Sequence, residues 1–122
     1  MKTVLVVEDE FGVADLILTA LEDEGYRVLK AAHGAQALER LGQEKPDLIV
    51  SDFMMPIMDG PTFAAQVKAM DDLAHVPIIM MSAVPETALR ARFDRYEVFL
   101  QKPFRIDDLV EVVGKALGKD AG

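Results

Sequence analysis

Short, strongly apolar runs alternate along this chain with stretches whose apolar residues recur at helical spacing, and the alternation runs from one end to the other. The runs are Val4-Leu5-Val6-Val7, Leu48-Ile49-Val50-Ser51 (within a strand over Asp47 to Ser51), Ile78-Ile79-Met80-Met81 and Val98-Phe99-Leu100-Gln101, and Arg27 to Ala31 reads as a further strand, the second in order. A strand that reads as a continuous apolar run, without polar alternation, is covered on both faces, which is the signature of a parallel sheet between helical layers. Five strands alternating with five helical stretches predict a doubly wound α/β domain with a parallel sheet and helices on both faces.

The helical stretches have readable ends. Val13, Leu16, Ile17, Ala20 and Leu21 share one face, and Gly25 closes that helix. Ala35, Leu38 and Leu41 point inward in a short second helix that stops before Pro46. Pro61 suits the first turn of a third helix, whose inner face is Ala64, Val67 and Met70. Pro77 opens the fourth strand, and Pro85 opens a helix carrying Leu89 and Phe93. Ile106, Leu109, Val110, Val113 and Leu117 define a last helix ending near Gly118. Asp59-Gly60 reads as a turn, with Gly60 free to adopt positive φ. No linker or repeat interrupts the chain, and Lys119 to Gly122 reads as a short polar tail. The expectation is one domain over residues 1–122 with no effector domain.

The polar residues at the strand ends carry the chemistry. Glu8-Asp9 follow the first run, Asp52 the third, Ser82 the fourth and Lys102 the fifth. In an open parallel sheet the carboxyl ends of the strands share one edge, where ligands bind. Three carboxylates, a hydroxyl and an ammonium should therefore converge in one pocket. Crowded carboxylates resist ionisation unless a cation joins them. A hard divalent ion such as Mg2+ suits oxygen donors, and beside such an ion a carboxylate can act on phosphate.

Bulk properties narrow the field. A length of 122 residues suits one domain, and 51% hydrophobic with 28% charged residues is the balance of a water-soluble globular chain. No apolar stretch approaches the ~20 residues that span a bilayer, and Lys2 leads directly into a strand with no signal-peptide pattern. The absence of cysteine excludes disulfides, thiolate nucleophiles and Cys-based zinc sites. A cytoplasmic location is expected. A net charge of −8 argues against nucleic-acid binding, because phosphate contacts need a basic surface. Met54, Met55, Met58, Met80 and Met81 read as adaptable filler and not as soft-metal ligands. His33 and His75 read as surface loop residues.

Four motifs in order, Val-Val-Glu-Asp-Glu after the first strand, Asp52-Phe-Met-Met-Pro56 with Asp59-Gly60, Ser82-Ala83, and Lys102-Pro103-Phe104, resemble the receiver domain of two-component response regulators, the CheY-like superfamily. The resemblance covers essentially the whole chain and implies the flavodoxin-like strand order 2-1-3-4-5, for which CheY is itself a standard example. It implies that Asp52 accepts a phosphoryl group from a phosphohistidine, with Lys102 and Ser82 at the same site. It implies Mg2+, with Mn2+ able to substitute, held by Asp9, Asp52 and the Met54 carbonyl, while Glu8 acts through water. The backbone at Met54 and Ala83 would contact the phosphoryl group. Ser82 and Phe99 match the family's switch pair, which remodels the face made by the fourth helix, fifth strand and fifth helix to control partner binding. Lys102-Pro103 matches a bond that is cis in the family.

The implied partners are a histidine kinase or histidine phosphotransfer protein and a downstream protein, with no nucleic acid and no membrane, in a chain that is a monomer or weak dimer. The role implied is signalling and not enzymatic turnover. Two departures stand out. The run from Ser82 to Lys102 is shorter than the family's usual length, and Phe93-Asp94-Arg95-Tyr96-Glu97 replaces a common Gly-Ala, so the fourth helix should be short or irregular. Met54 and Val84 lie near the expected path of hydrolysis; both are apolar and should slow loss of the phosphoryl group.

Other functions fit less well. An aspartate-nucleophile, Mg2+-dependent phosphatase wants a second aspartate two residues after the nucleophile, where this chain has Met54. A flavodoxin needs a first loop that cradles phosphate, and Glu8-Asp9-Glu10 would repel one. A P-loop NTPase is excluded by the missing glycine-lysine loop.

Overall fold

The computed structural model describes residues 1–118, so the expected polar tail over 119–122 lies outside the described residues. Five strands, β1 (Thr3–Val7), β2 (Arg27–Ala31), β3 (Leu48–Asp52), β4 (Ile78–Ser82) and β5 (Val98–Gln101), alternate with helices α1 (Phe11–Asp23), α2 (Gly34–Gln43), α3 (Gly60–Lys68), α4 (Glu86–Arg90) and α5 (Ile106–Ala116). All pairings are parallel, in the order β2-β1-β3-β4-β5. Every residue of β1, β3 and β4 is buried, as their uninterrupted apolar runs demand.

Successive strand residues point to opposite faces, which divides the core in two. Leu5, Val7, Ile49, Ile78 and Met80 pack with Ala37 and Leu41 of α2, Phe63, Ala64 and Val67 of α3, and Leu89 of α4. On the other face Val4, Val6, Leu48, Val50, Ile79 and Met81 pack with Ile17 and Leu21 of α1 and Leu109 and Val113 of α5. Fully burying a side chain such as Phe63 or Leu109 contributes about 1.5–3 kcal/mol, so both helical layers are firmly attached to the sheet. No helix among the described residues is long and apolar enough to cross a membrane.

Several local expectations are corrected. The third strand sits one residue later than Asp47–Ser51: the Asp47 carboxylate accepts the Thr3 N–H at 2.8 Å, and Asp52 joins the strand. In α2 the buried positions are Gly34, Ala37 and Leu41, with Ala35 only half-buried. In α1, Ala14, Ile17 and Leu21 are buried while Leu16 is 57% exposed, lining a groove with Val13, Phe104 and Ile106. His33 stands in the loop before α2 as expected, and there its ring accepts the Gln36 N–H and caps that helix. Gly60 does not use positive φ. It opens α3, and a Cβ there would stand 2.2 Å from the Asp52 carbonyl oxygen. The left-handed residue of that loop is Ile57, at φ 70° and 80% exposed. As expected, α4 is short, at five residues, but it carries only Leu89 of the expected pair: the helix ends before Phe93, which is buried just beyond the turn that follows.

Candidate functional site

The carboxyl ends of β1, β3 and β5 bring Glu8, Asp9, Asp52 and Lys102 together. Pairing of β1 with β3 sets Val7 opposite Ser51, so the residues that follow each strand share one rim. The Lys102 ammonium lies 2.8 Å from Glu8 Oε1 and 3.2 Å from Asp52 Oδ1. One oxygen from each of Glu8, Asp9 and Asp52 falls within 4.8 Å of the others. Glu8 and Asp52 are buried and Asp9 is exposed, so the cluster opens to solvent on one side.

Both oxygens of Glu8 are engaged: Oε1 accepts from Lys102, and Oε2 accepts the Glu10 N–H at 3.2 Å. Asp52 Oδ1 accepts the Phe53 N–H at 3.0 Å, and the Ser51 hydroxyl donates to the Asp52 carbonyl at 3.0 Å. Burial and then the neighbouring Glu8 charge push the Asp52 carboxyl up to about 6, although Lys102 and the Phe53 N–H work against that rise. Burial opposes the charge on Lys102, yet the hydrogen bond to Glu8 and the Asp52 and Glu8 charges outweigh it and raise the ammonium's pKa. The pocket thus holds an excess of negative charge that a single lysine leaves uncompensated. Hard oxygen donors with surplus charge and an open side fit a divalent cation of the Mg2+ type.

The remaining expected residues lie on β4 and β5 and in the loops that follow β3 and β4. Ser82 is buried at the end of β4, where its hydroxyl accepts the Val84 N–H at 3.0 Å. The Ala83 carbonyl accepts from the Gln101 side chain at 3.4 Å. Met54 is 63% exposed on the loop after Asp52, whereas Val84 is half-buried against the core. Phe99 is half-buried with its ring 6.5 Å from that of Tyr96. The Lys102-Pro103 bond is cis.

Two groups escaped the sequence reading. Arg92 forms an ion pair with Asp59 at 2.8 Å, and Tyr96 hydrogen-bonds Glu86 and Arg90. For Tyr96 the one available hint was its spacing of three residues from both Phe93 and Phe99; for Arg92 no local pattern existed, because its contacts come from a loop distant in sequence.

The sequence pattern of the response regulator receiver domain matches residues 4–114. The chain belongs to the response regulator receiver domain family. A sporulation initiation phosphotransferase F of Bacillus subtilis is 32% identical, covering 95% of this chain and 94% of its own. The sensor histidine kinase TmoS of Ectopseudomonas mendocina is 35% identical over 96% of this chain, which spans only 13% of that kinase. Among solved structures, the receiver domain of a sensor histidine kinase from Pseudomonas aeruginosa PAO1, with a magnesium ion in its active-site cleft, superposes with a TM-score of 0.87 at 28% identity, covering 96% of this chain and 98% of that one. Receiver domains thus occur both as near-complete chains and as parts of larger sensors, and this one has the family's fold and strand order.

Proposed function

We propose that this receiver takes a phosphoryl group on Asp52 from a phosphohistidine of a histidine kinase or histidine phosphotransfer protein, acting as one unit over its length. The observation that carries the reading is the buried Asp52 carboxylate, 3.2 Å from the Lys102 ammonium and clustered with Glu8 and Asp9. In the transfer a carboxylate oxygen of Asp52 bonds to phosphorus as the phosphorus–nitrogen bond of the donor breaks, leaving an acyl phosphate and a free imidazole that keeps the bonding pair. Such transfers rest on positioning and on neutralising charge at the equatorial oxygens.

Asp9, Asp52 and the Met54 carbonyl would hold Mg2+, with Glu8 acting through water; that Glu8 already spends both oxygens on Lys102 and Glu10 supports its indirect part. When bound, Mg2+ would supply most of the charge neutralisation at the phosphoryl oxygens. Lys102 adds a second positive charge on the Asp52 side and keeps the buried Glu8 paired. Ser82, whose hydroxyl now accepts from Val84, is free to turn its proton toward a phosphoryl oxygen, and Phe99 follows by repacking. The face of α4, β5 and α5 would then change its affinity for a downstream protein. A single stoichiometric phosphorylation of Asp52, with no catalytic turnover of a phosphate ester, is the expected outcome.

The test is intact mass after incubation with acetyl phosphate and Mg2+. Wild type should gain one phosphoryl group and Asp52→Asn none. An undiminished adduct on the variant would overturn the assignment.

A further inference from the structure

The loop that leaves Asp52 is closed at a tight neck. The Gly60 N–H donates to the Phe53 carbonyl at 2.9 Å, and the neck is packed so closely that a Cβ on Gly60 would meet the Asp52 carbonyl at 2.2 Å. Phe53 in turn donates its N–H to the Asp52 carboxylate. A displacement at Asp59 or Gly60 therefore has no slack to absorb it before it reaches Asp52. The loop's far side is seated on α2, where the Gly34 N–H donates to the Met58 carbonyl at 3.2 Å.

One cationic side chain grips the neck from another part of the fold. Arg92 stands in the turn after α4, its own N–H bonded to the Leu89 carbonyl at 2.9 Å. The next residue, Phe93, is buried in the same core cluster as Phe53 and Phe63. From this fixed mount the guanidinium pairs with Asp59 at 2.8 Å, lies 5.9 Å from the centre of the Phe53 ring, and comes within 3.5 Å of the Thr62 hydroxyl. Asp59 accepts the Thr62 N–H at 3.0 Å as the cap of α3, so the pair ties three points of the neck together. An ion pair this exposed contributes little to global stability. Its effect is on geometry, because a flat guanidinium holds a carboxylate and an aromatic face in fixed relation.

We propose that Arg92 is a positioning residue for the Asp52 site: by bracing Asp59 and the Phe53 ring across the neck, it holds the Phe53–Met54 segment where the Met54 carbonyl and the Asp52 carboxylate can share a divalent cation. This rests on the proposed Mg2+ site. The link also runs outward, since binding free energies are reciprocal. A cation that orders the neck also orders the α4–β5 connection through Arg92.

The test uses Arg92→Ala, Arg92→Lys, Asp59→Asn and the Arg92→Ala/Asp59→Asn double variant. Asp59→Asn removes the charge but keeps an oxygen for the Thr62 N–H. Lys45→Ala, which breaks another exposed pair (Lys45–Asp72, 3.1 Å), is the control. Mg2+ affinity is read by amide chemical shifts, and exchange of the Gly60 amide is read in metal-free protein. Arg92→Ala and Asp59→Asn should each weaken Mg2+ by about 10-fold, the low end for loss of a group that orients a ligand. The double variant should be no worse than either single one, as expected of one shared interaction. Arg92→Lys should recover part of the affinity, Gly60 exchange should quicken in the Ala and Asn variants, and Lys45→Ala should match wild type. If Arg92→Ala misfolds, Asp59→Asn alone decides. Mg2+ affinity unchanged in Asp59→Asn and in folded Arg92→Ala, while Asp52→Asn abolishes it, overturns the role of Arg92. Retention of Mg2+ by Asp52→Asn overturns the site itself, and the role of Arg92 with it.

Discussion

Asp52 is held in a setting that favours its neutral form, and that has a cost in the metal-free protein. A carboxyl raised in the folded state to about 6 binds a proton that the unfolded chain has already lost. The sign follows: the group favours folding below the unfolded value, and that contribution disappears as pH rises through the folded one. With divalent ions removed, Asp52→Asn should therefore be more stable than wild type at pH 7–8, and the advantage should shrink as pH falls from 6 toward 4. Its size should be about 1–2 kcal/mol, less than the ~3 kcal/mol into which the full shift converts, because water reaches the pocket mouth. Chemical denaturation across pH in chelator checks this; equal stability at pH 8 would show that Lys102 already relieves the repulsion. At the exposed Met54, replacement by Asn or Glu should speed loss of the phosphoryl group by ~10-fold, or ~1.4 kcal/mol of barrier, because a polar side chain can align the attacking water and a thioether cannot. Phosphate release after phosphorylation measures it, and decay of wild type as fast as the variants would count against the apolar shield.

At the scale of elements, α4 poses a physical problem, because a five-residue helix has too few hydrogen bonds to stand by itself. Two things hold it: burial of Leu89, and Tyr96, whose hydroxyl accepts from Arg90 at 3.0 Å and donates to Glu86 while its ring lies between Phe93 and Phe99. A hydroxyl that Phe99 lacks is thus present three residues earlier, on the same side of the sheet. Tyr96→Phe should cost about 0.5–1.5 kcal/mol and quicken amide exchange in α4 more than in α3; uniform acceleration across both helices would mean that the hydroxyl does not act locally. Beyond the three-residue spacing of Phe93, Tyr96 and Phe99, little in the sequence signals this device, since Tyr96 meets Glu86 and Arg90 only after the chain has left α4. The central strands β1, β3 and β4 were legible because burial on both faces leaves little room for polar residues before their carboxyl ends, whereas β2 and β5 at the sheet's edges are only partly buried. The acidic rim was legible because strand ends in a parallel sheet must converge. Leu16 and Ala35 were misplaced because periodicity gives the width of an apolar stripe but not where a neighbouring layer ends, and Gly60 because a close approach between distant backbones leaves no local signal.

For the whole molecule, the sheet is the wall shared by two separate cores, and the site sits on the wall's edge. Leu5 and Ile49 face one core while Val4, Val6, Leu48 and Val50 face the other, on the same strands that deliver Glu8 and Asp52. Neither helical layer can therefore detach without exposing one full face of β1 and β3, and loss of those strands dissolves the pocket. Phe63 on one side and Leu109 on the other are both fully buried. Phe63→Ala should cost about 3–5 kcal/mol and Leu109→Ala about 2–5 kcal/mol, from lost transfer energy plus the cavity left behind. The Mg2+-dependent signal of the Asp52 pocket should disappear in each variant at the same denaturant concentration as the helical circular dichroism, as a single cooperative transition requires. Should Leu109→Ala instead lose helix at lower denaturant than it loses Mg2+ binding, the α1–α5 layer would be a separable unit, and the pocket would depend on the other core alone.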